Sequence, residues 1–386
     1  MSTIDPNAIL RGLQLTLVGA YRALQNPSLF ESQHYRQAAL AVALGLALRI
    51  IIGIPVWILR GTLYTASFMI TTNPHWVNNV VSSLDFLERY VLQLPFFLMA
   101  LMQYITPTLD ELFMKSLAWV DQTYLAKHKD DNHPLRPLYS PSLQQYTAHH
   151  ERLDKTSALK KQTKSSFVIF LQRYARKAGI SLAVYICSFV PYLGPLVLPA
   201  ASFYSFRGAV GVVPAAIIFA IGAFLPKRWM VVGLQSYFAS RGLMRELLEP
   251  YFKRVKYTPE QKRLWFRDRE GLLFGFAIGW YLLIKTPYFG ILLYGIAEAA
   301  TAFLVTKITD PPPPPSSPEA KDFAQSQIVW KNKHEFVALP IDKIDRLEEL
   351  VHQLPEKAKE KIQRLDGERE GRAQEKLQDM EEKRVY

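Results

Sequence analysis

The chain has 386 residues, a formal net charge of +12 and a mean hydropathy of +0.01, values typical of a soluble protein. The charges are unevenly spread, however: residues 180–226 contain one charged residue, Arg207, whereas about two in five of residues 309–386 are charged. A low-charge run of that length exceeds the ~20 residues that cross a bilayer core, which disfavours a single soluble core. The single cysteine, Cys187, excludes an internal disulfide and a cysteine-based metal cluster.

Residues 1–36 are predicted to form a cytoplasmic, amphipathic N-terminal segment. Apolar residues recur there at helical spacing, but Arg11 and Gln14 interrupt the run, which is atypical of a cleavable signal peptide. The pattern leaves two alternatives for this helix: it lies on a membrane surface, or it packs on neighbouring helices.

The low charge density predicts a helical membrane domain at residues 37–307. Its stretches suited to membrane burial lie near residues 37–59, 90–109, 180–205, 208–226, 271–284 and 286–306. The sequence therefore predicts an all-α, multi-pass membrane protein with about six membrane segments. Because residues 271–284 provide only 14 uncharged positions, some segments are expected to be half-penetrating hairpins.

Positive charge sets the predicted orientation of these segments. Residues 227–270 contain 11 Lys and Arg against 5 Asp and Glu, and a further basic cluster precedes residue 180. Basic flanks favour the cytoplasmic side of a membrane, so both termini are predicted to be cytoplasmic. Residues 121–160 are polar and are interpreted as a cytoplasmic loop.

The C-terminal part differs from the rest in composition. Residues 308–318 are predicted to be a Pro-rich linker, and residues 319–386 a charged cytoplasmic tail. The apolar stripe in this tail is short, so the pattern favours a solvated helical or disordered segment over a specific docking helix. A protein partner for the tail and a homo-oligomer of the chain are both compatible with the sequence.

Three prolines and a glycine interrupt the low-charge run at residues 190–199. Broken backbone at membrane depth is tolerated only when it is buried in protein or lines a wet cavity, and helix N-termini released there attract anions. The candidate membrane break and anion site is Pro191, Gly194, Pro195 and Arg207. The alternative is a kinked hairpin that only shapes a wedge in one leaflet.

Two further sets of charged residues are candidates for function. A basic, aromatic stretch beside the membrane segments favours anionic lipid headgroups over nucleic acid, and its candidate residues are Lys253, Arg254, Lys256, Arg263, Trp265 and Arg267. The second set is a candidate intramembrane ion pair between Lys285 and Glu298, because an unpaired charge in the bilayer costs a few kcal/mol or more.

The sequence predicts a protein that is not an enzyme and has no cofactor. It contains no phosphate-binding loop, no nucleophile elbow and no HExxH zinc motif. His149 and Asp154 fit the H-x4-D spacing of glycerolipid acyltransferases, but about 0.3 such matches are expected by chance in this chain, and no partner motif accompanies the pair. A lipid-modifying enzyme is therefore the weakest functional hypothesis.

Residues 191–195 (PYLGP), 242–252 (GLMRELLEPYF) and 272–276 (LLFGF) resemble a known family. The chain is similar to the fungal UsgS-like and outer-spore-wall lipid-droplet transmembrane proteins, which are distantly similar to the CysZ and etoposide-induced membrane protein group. The resemblance covers about residues 35–307. It implies a helical membrane protein of the endoplasmic reticulum or lipid droplet with a role in lipid-linked or spore-wall processes. CysZ members conduct sulfate, which makes an anion channel the alternative function.

Overall fold

A computed structural model describes residues 5–30, 108–129, 136–157, 227–285, 290–346 and 354–385, together with single positions between these ranges. Every regular element in these residues is a helix, so the predicted all-α class is confirmed for the described part of the chain. The α-helices are α1 Pro6–Leu24, α2 Thr108–Lys127, α3 Tyr139–Ser157, α4 Lys227–Leu247, α5 Glu249–Arg254, α6 Pro259–Asp268, α7 Glu270–Ile284, α8 Gly290–Ile308, α9 Phe323–Ser326, α10 Lys333–Ala338 and α11 Glu356–Val385. Short 3-10 helices cover Pro27–Phe30, Pro318–Ala320 and Ile341–Arg346.

Local sequence signals explain where two of these helices begin. At the start of α1, the Asp5 side chain accepts a hydrogen bond from the backbone N–H of Asn7 at 2.9 Å, and Pro6 occupies the first turn. At the start of α6, Thr258 and Gln261 form a reciprocal capping box. Both arrangements satisfy backbone donors that a helix N-terminus otherwise leaves without partners.

The centre of the molecule is formed by α7 and α8, with α1, α2 and α4 packed around them. Apolar side chains of α7 such as Phe276 and Trp280 are almost fully buried, and the stretch of α8 from residue 297 to 305 is buried at every position. A helix that is buried on most sides needs apolar residues on most of its faces, which is why α7 and α8 stand out in the sequence as mainly apolar stretches.

Helix α1 packs along α7 through small residues. A Cβ atom built on Gly12 would stand 2.6 Å from the backbone nitrogen of Phe276, and one built on Gly275 would stand 2.8 Å from the carbonyl carbon of Ile9. The hydroxyl of Thr16 donates to the carbonyl oxygen of Phe276 at 3.2 Å, which adds a hydrogen bond between the helices. Of the two alternatives for the first helix, the structure therefore contains the packed one.

The charged tail docks on the helical bundle. In α11, Leu377 is buried with Leu264 of α6 and with Ile328 and Val329, which precede α10. Asp268, the last residue of α6, binds Arg369 of α11 through two bonds of 2.8 Å. The expectation of a solvated or disordered tail is thus wrong for these parts of it, because buried apolar contacts and ion pairs hold them to α6.

The structure describes two of the six predicted membrane segments and hardly any of the other four. Residues 37–59, 90–109, 180–205 and 208–226 lie almost entirely outside the described residues, whereas 271–284 and 286–306 correspond to α7 and α8. Within the described residues, none of the helices combines the length and the apolar character that a membrane crossing requires. The prediction of a polar loop at 121–160 is wrong, because most of these residues belong to α2 and α3.

Candidate functional site

The four residues of the predicted membrane break, Pro191, Gly194, Pro195 and Arg207, lie outside the described residues. The anion-channel hypothesis therefore depends on the sequence pattern alone. The other two predicted sets can be placed in the structure.

Four of the six predicted headgroup-binding residues have exposed side chains: Lys253, Lys256, Arg263 and Arg267. The remaining two side chains are buried, contrary to the prediction. Arg254 is 6% exposed and forms a bidentate pair with Asp110, with bonds of 2.8 and 2.6 Å. Trp265 is fully buried, with its ring 5.1 Å from that of Phe252. Both side chains face the bundle because they lie on the inner face of short helices, which a linear basic cluster does not reveal.

The predicted pair between Lys285 and Glu298 does not form. Glu298 lies in the middle of α8 with no exposed surface, and neither of its carboxyl oxygens has a hydrogen-bond partner among the described residues. Lys285 caps the C-terminus of α7 with an exposed side chain, and its ammonium lies 5.9 Å from the centre of the Tyr281 ring. A buried carboxyl group without a hydrogen bond is a costly feature.

A cleft between α4 and the start of α7 brings together polar side chains that the sequence analysis did not select. Arg241 donates from Nη1 to the hydroxyl of Tyr237 at 2.7 Å, and its Nη2 lies 3.1 Å from Oε1 of Glu270. Arg245 lies one turn further along α4, with its guanidinium carbon 5.9 Å from the centre of the Phe266 ring. The remaining walls are apolar and include Met244, Leu273 and Phe274.

The electrostatics of the cleft follow from partial burial beside two cations. Burial raises the pKa of Tyr237, which keeps this hydroxyl a neutral hydrogen-bonding group. Burial also lowers the pKa of Arg245, and the neighbouring charge of Arg241 lowers it further. Arginine remains protonated in proteins despite such shifts. Two guanidinium groups thus face one carboxylate, and the cleft carries one excess positive charge.

Arg245 is the member of this cleft with unused hydrogen-bonding capacity. Within the described residues, its guanidinium contacts an aromatic ring but donates to no oxygen. Arg241, by contrast, is held on two sides by Tyr237 and Glu270. An oriented guanidinium next to a free one is an arrangement that can bind a tetrahedral oxyanion.

A second polar cluster joins the tail to the end of α6. The Asp268 carboxylate accepts hydrogen bonds from Arg369 and, at 2.8 Å, from the backbone N–H of Trp330. Burial by itself would raise the pKa of Asp268, but the charges of Lys333, Arg269 and Arg369 outweigh it and lower that pKa. This cluster is a structural clamp in which each charge has a partner.

Sequence reasoning missed the cleft because its parts come from two distant stretches. Tyr237, Arg241 and Arg245 do carry a local signal, since a spacing of four residues places them on one face of a helix. No local sequence signal connects this face with Glu270, because only the packing of α4 on α7 brings the two together.

No group of metal-ligating side chains suited to hold an ion occurs within the described residues. Comparisons of the chain with protein-family models, with curated proteins and with solved structures find no match.

Proposed function

We propose that the chain is a non-enzymatic, multi-pass integral membrane protein of the fungal endoplasmic reticulum or lipid droplet, with a role in lipid-linked or wall-related processes. The cellular location and the process come from the family resemblance of residues 191–195, 242–252 and 272–276. The absence of catalytic motifs in the sequence supports the non-enzymatic part of the proposal.

The observation that carries the membrane proposal is the distribution of side-chain size on α1. The residues that α1 buries include the small Ala8 and Gly12 as well as the larger Leu15, whereas Leu17 is 69% exposed and Tyr21 is 64% exposed. Small residues between helices and large apolar residues outside are typical of helices in lipid, where close backbone approach rather than hydrophobic burial drives association. This arrangement supports a lipid environment around α1.

A second group of exposed apolar residues lies within the first predicted membrane segment. Ile50, Ile54, Trp57 and Ile58 are helical and exposed, and their spacing places them along one helical stripe. An apolar surface of this kind marks a site of contact with a membrane or another protein. We assign it to lipid, since the neighbouring sequence is long and nearly uncharged.

The localisation is tested with a fluorescent fusion in fungal cells before and after oleate loading. Signal in the endoplasmic reticulum and on droplets is the expected result, and a fusion that stays away from both contradicts the localisation. Extraction of membranes with alkaline carbonate tests integral insertion, where the protein is expected to remain in the pellet.

A pair of charge-matched variants sharpens the extraction experiment. Ile54→Asp combined with Ile58→Asp places two negative charges on the exposed stripe and is expected to weaken membrane retention. Lys376→Asp, on the exposed surface of α11, changes the net charge by the same amount and is expected to leave retention unchanged. Equal behaviour of the two variants would argue against contact between the stripe and lipid.

An anion channel of CysZ type is the second proposal. It is supported by the proline-rich break at residues 191–195 and by Arg207. Proteoliposomes that contain the protein are expected to conduct sulfate, and Gly194→Leu is expected to abolish the flux. Absence of sulfate and chloride flux under an imposed gradient would contradict this proposal.

A further inference from the structure

We propose that the cleft formed by Tyr237, Arg241, Arg245, Phe266 and Glu270 binds the phosphate of an anionic glycerophospholipid headgroup. This inference rests on the proposed membrane location of the chain. The ligand is defined by its chemistry: a phosphodiester with one net negative charge, joined to an apolar part.

The geometry of the two guanidinium groups suits an oxyanion. Arg241 is fixed between the hydroxyl of Tyr237 at 2.7 Å and the carboxylate of Glu270 at 3.1 Å, so its position is set before a ligand arrives. Arg245, one turn along the same helix, is exposed and makes no hydrogen bond within the described residues. A preorganised cation beside one with free donors favours bidentate recognition of phosphate by Arg245.

The net charge of the cleft also suits a phosphodiester. The carboxylate of Glu270, which is 8% exposed, neutralises one of the two arginines and leaves an excess of one positive charge. That excess matches a phosphodiester whose headgroup adds a single net negative charge to the lipid. A zwitterionic headgroup has no net negative charge and therefore cannot offset this excess.

The apolar wall of the cleft and its place in the chain favour a lipid phosphate over a free one. Phe266, Leu273 and Phe274 line it, and the side chain of Phe238 beside it is 42% exposed. The cleft lies where the basic stretch at 227–270 meets the proposed membrane segment at 271–284. A phosphate at this boundary is next to an apolar surface that acyl chains can cover, whereas free phosphate gains nothing from that surface.

The experiment uses the full chain in nanodiscs of phosphatidylcholine with a minor fraction of phosphatidylserine. After transfer to detergent, native mass spectrometry counts the lipids that stay bound. Wild-type protein is expected to retain phosphatidylserine in preference to phosphatidylcholine by about tenfold, which corresponds to roughly 1.4 kcal/mol. Arg245→Gln is expected to remove this preference.

Two variants control for general electrostatics and for folding. Arg364→Gln removes an exposed arginine of α11 that lies outside the cleft and outside the predicted headgroup-binding set, and it is expected to keep the preference. Arg245→Lys keeps the charge without the planar fork of the guanidinium and is expected to restore only part of the preference. The inference is overturned if Arg245→Gln and Arg364→Gln behave alike, or if the lysine variant keeps the full wild-type preference.

Inorganic phosphate is the competing ligand with the same oxygen chemistry. Millimolar phosphate is expected to leave phosphatidylserine bound, and displacement would instead identify the cleft as a site for free phosphate, against this inference. A protein that enters nanodiscs without any anionic-lipid preference contradicts the headgroup site alone. A chain that does not enter nanodiscs contradicts the proposed membrane function, and the headgroup inference falls with it.

Discussion

At the scale of single residues, two glycines determine how closely α1 approaches α7. Gly12 and Gly275 bring the backbones of the helices so near that no side-chain atom fits between them. A similar dependence on one residue holds in α8, where Glu298 buries a carboxyl group that has no hydrogen bond with any described residue. Each feature leads to a substitution whose effect on stability can be measured.

Gly275→Ala is expected to lower the free energy of unfolding by about 1–3 kcal/mol, because the added methyl group overlaps the backbone of Ile9. The matched control is Gly242→Ala in α4, where a Cβ meets no atom within 4 Å. Removal of a helical glycine there is expected to raise stability by about 0.5–1 kcal/mol. Denaturation of both variants in the same detergent provides the comparison, and an equal effect of both would contradict the close packing of α1 on α7.

Glu298→Gln is expected to raise the free energy of unfolding at pH 7 by about 1 kcal/mol, because on folding a glutamate must either bury its charge or bind a proton, whereas a neutral amide needs neither. Glu375→Gln, on the exposed surface of α11, is the control and is expected to change little. Thermal unfolding in detergent measures both. A clear loss of stability in Glu298→Gln would show that the carboxylate has a stabilising partner in the folded protein.

At the scale of elements, the tail is held to the bundle by contacts at the end of α6. Asp268 receives Arg369 from α11 and the backbone N–H of Trp330, while Arg11 of α1 donates to the carbonyl oxygens of Val337 and Leu339. These contacts join residues more than 60 positions apart in the chain. The docking of the tail should therefore respond to changes at single charged residues.

Arg369→Gln is expected to weaken the docking of α11 by about 2 kcal/mol, because it removes two charge-assisted hydrogen bonds from Asp268. Amide hydrogen exchange in α11 is expected to accelerate accordingly. Arg364→Gln removes an arginine of the same helix whose side chain is 74% exposed, and is expected to leave exchange unchanged. Equal exchange in wild-type protein and Arg369→Gln would contradict the docked tail.

The ion pairs of Asp268 predict that the docking of the tail depends on pH. The pKa of Asp268 is lower in the folded protein than its ordinary value of 3.8, so the docked state binds fewer protons than the undocked one. The stabilisation is therefore complete above pH 4 and is lost as the pH falls below it. Cleavage of the tail by pepsin is expected to accelerate below pH 4 in wild-type protein, and this acceleration is expected to be smaller in Asp268→Asn. An identical pH profile in both would argue against the clamp.

At the scale of the whole molecule, the described residues divide into two surfaces of different chemistry. The tail helices and α6 present mainly charged side chains to solvent, whereas α1 and the helical positions from Ile50 to Ile58 present large apolar ones. The proposed lipid environment assigns the second surface to the bilayer. Some tryptophans are exposed and others are buried, so quenching of their fluorescence by lipids can test this assignment.

Brominated lipids are expected to quench part of the tryptophan fluorescence of the protein in liposomes. Trp57 is 58% exposed and Trp229 is 69% exposed, whereas Trp265 and Trp280 are fully buried. Trp57→Phe is expected to reduce the quenched fraction, and Trp265→Phe, the control, to leave it unchanged or raise it. Equal quenching in wild-type protein and Trp57→Phe would contradict contact between this stripe and acyl chains.

Much of the architecture was predictable from local patterns. The helical class is confirmed for the described residues, and the stretches at 271–284 and 286–306 correspond to the helices α7 and α8. The exposed positions of Lys253, Lys256, Arg263 and Arg267 also agree with the basic surface that was predicted. These features depend on hydropathy and on residue spacing, both of which can be read within one short window.

Other parts of the site could not be obtained this way. Arg254 and Trp265 have the same local surroundings as the exposed basic residues, yet their contacts with Asp110 and Phe252 place them in the interior. The cleft was missed for the same reason, since Arg241 and Glu270 lie on different helices. In each case the deciding contact joins residues that are distant in sequence.

The sequence by itself determined the helical class, the contrast between a low-charge region and a charged tail, and the basic stretch beside it. Each of these is a property of neighbouring residues. Only the tertiary structure decided which charges are buried, which glycines meet, and that the tail docks at Asp268. The physical reason is that burial and ion pairing are energies of contact, and these contacts exist only after the helices have packed together.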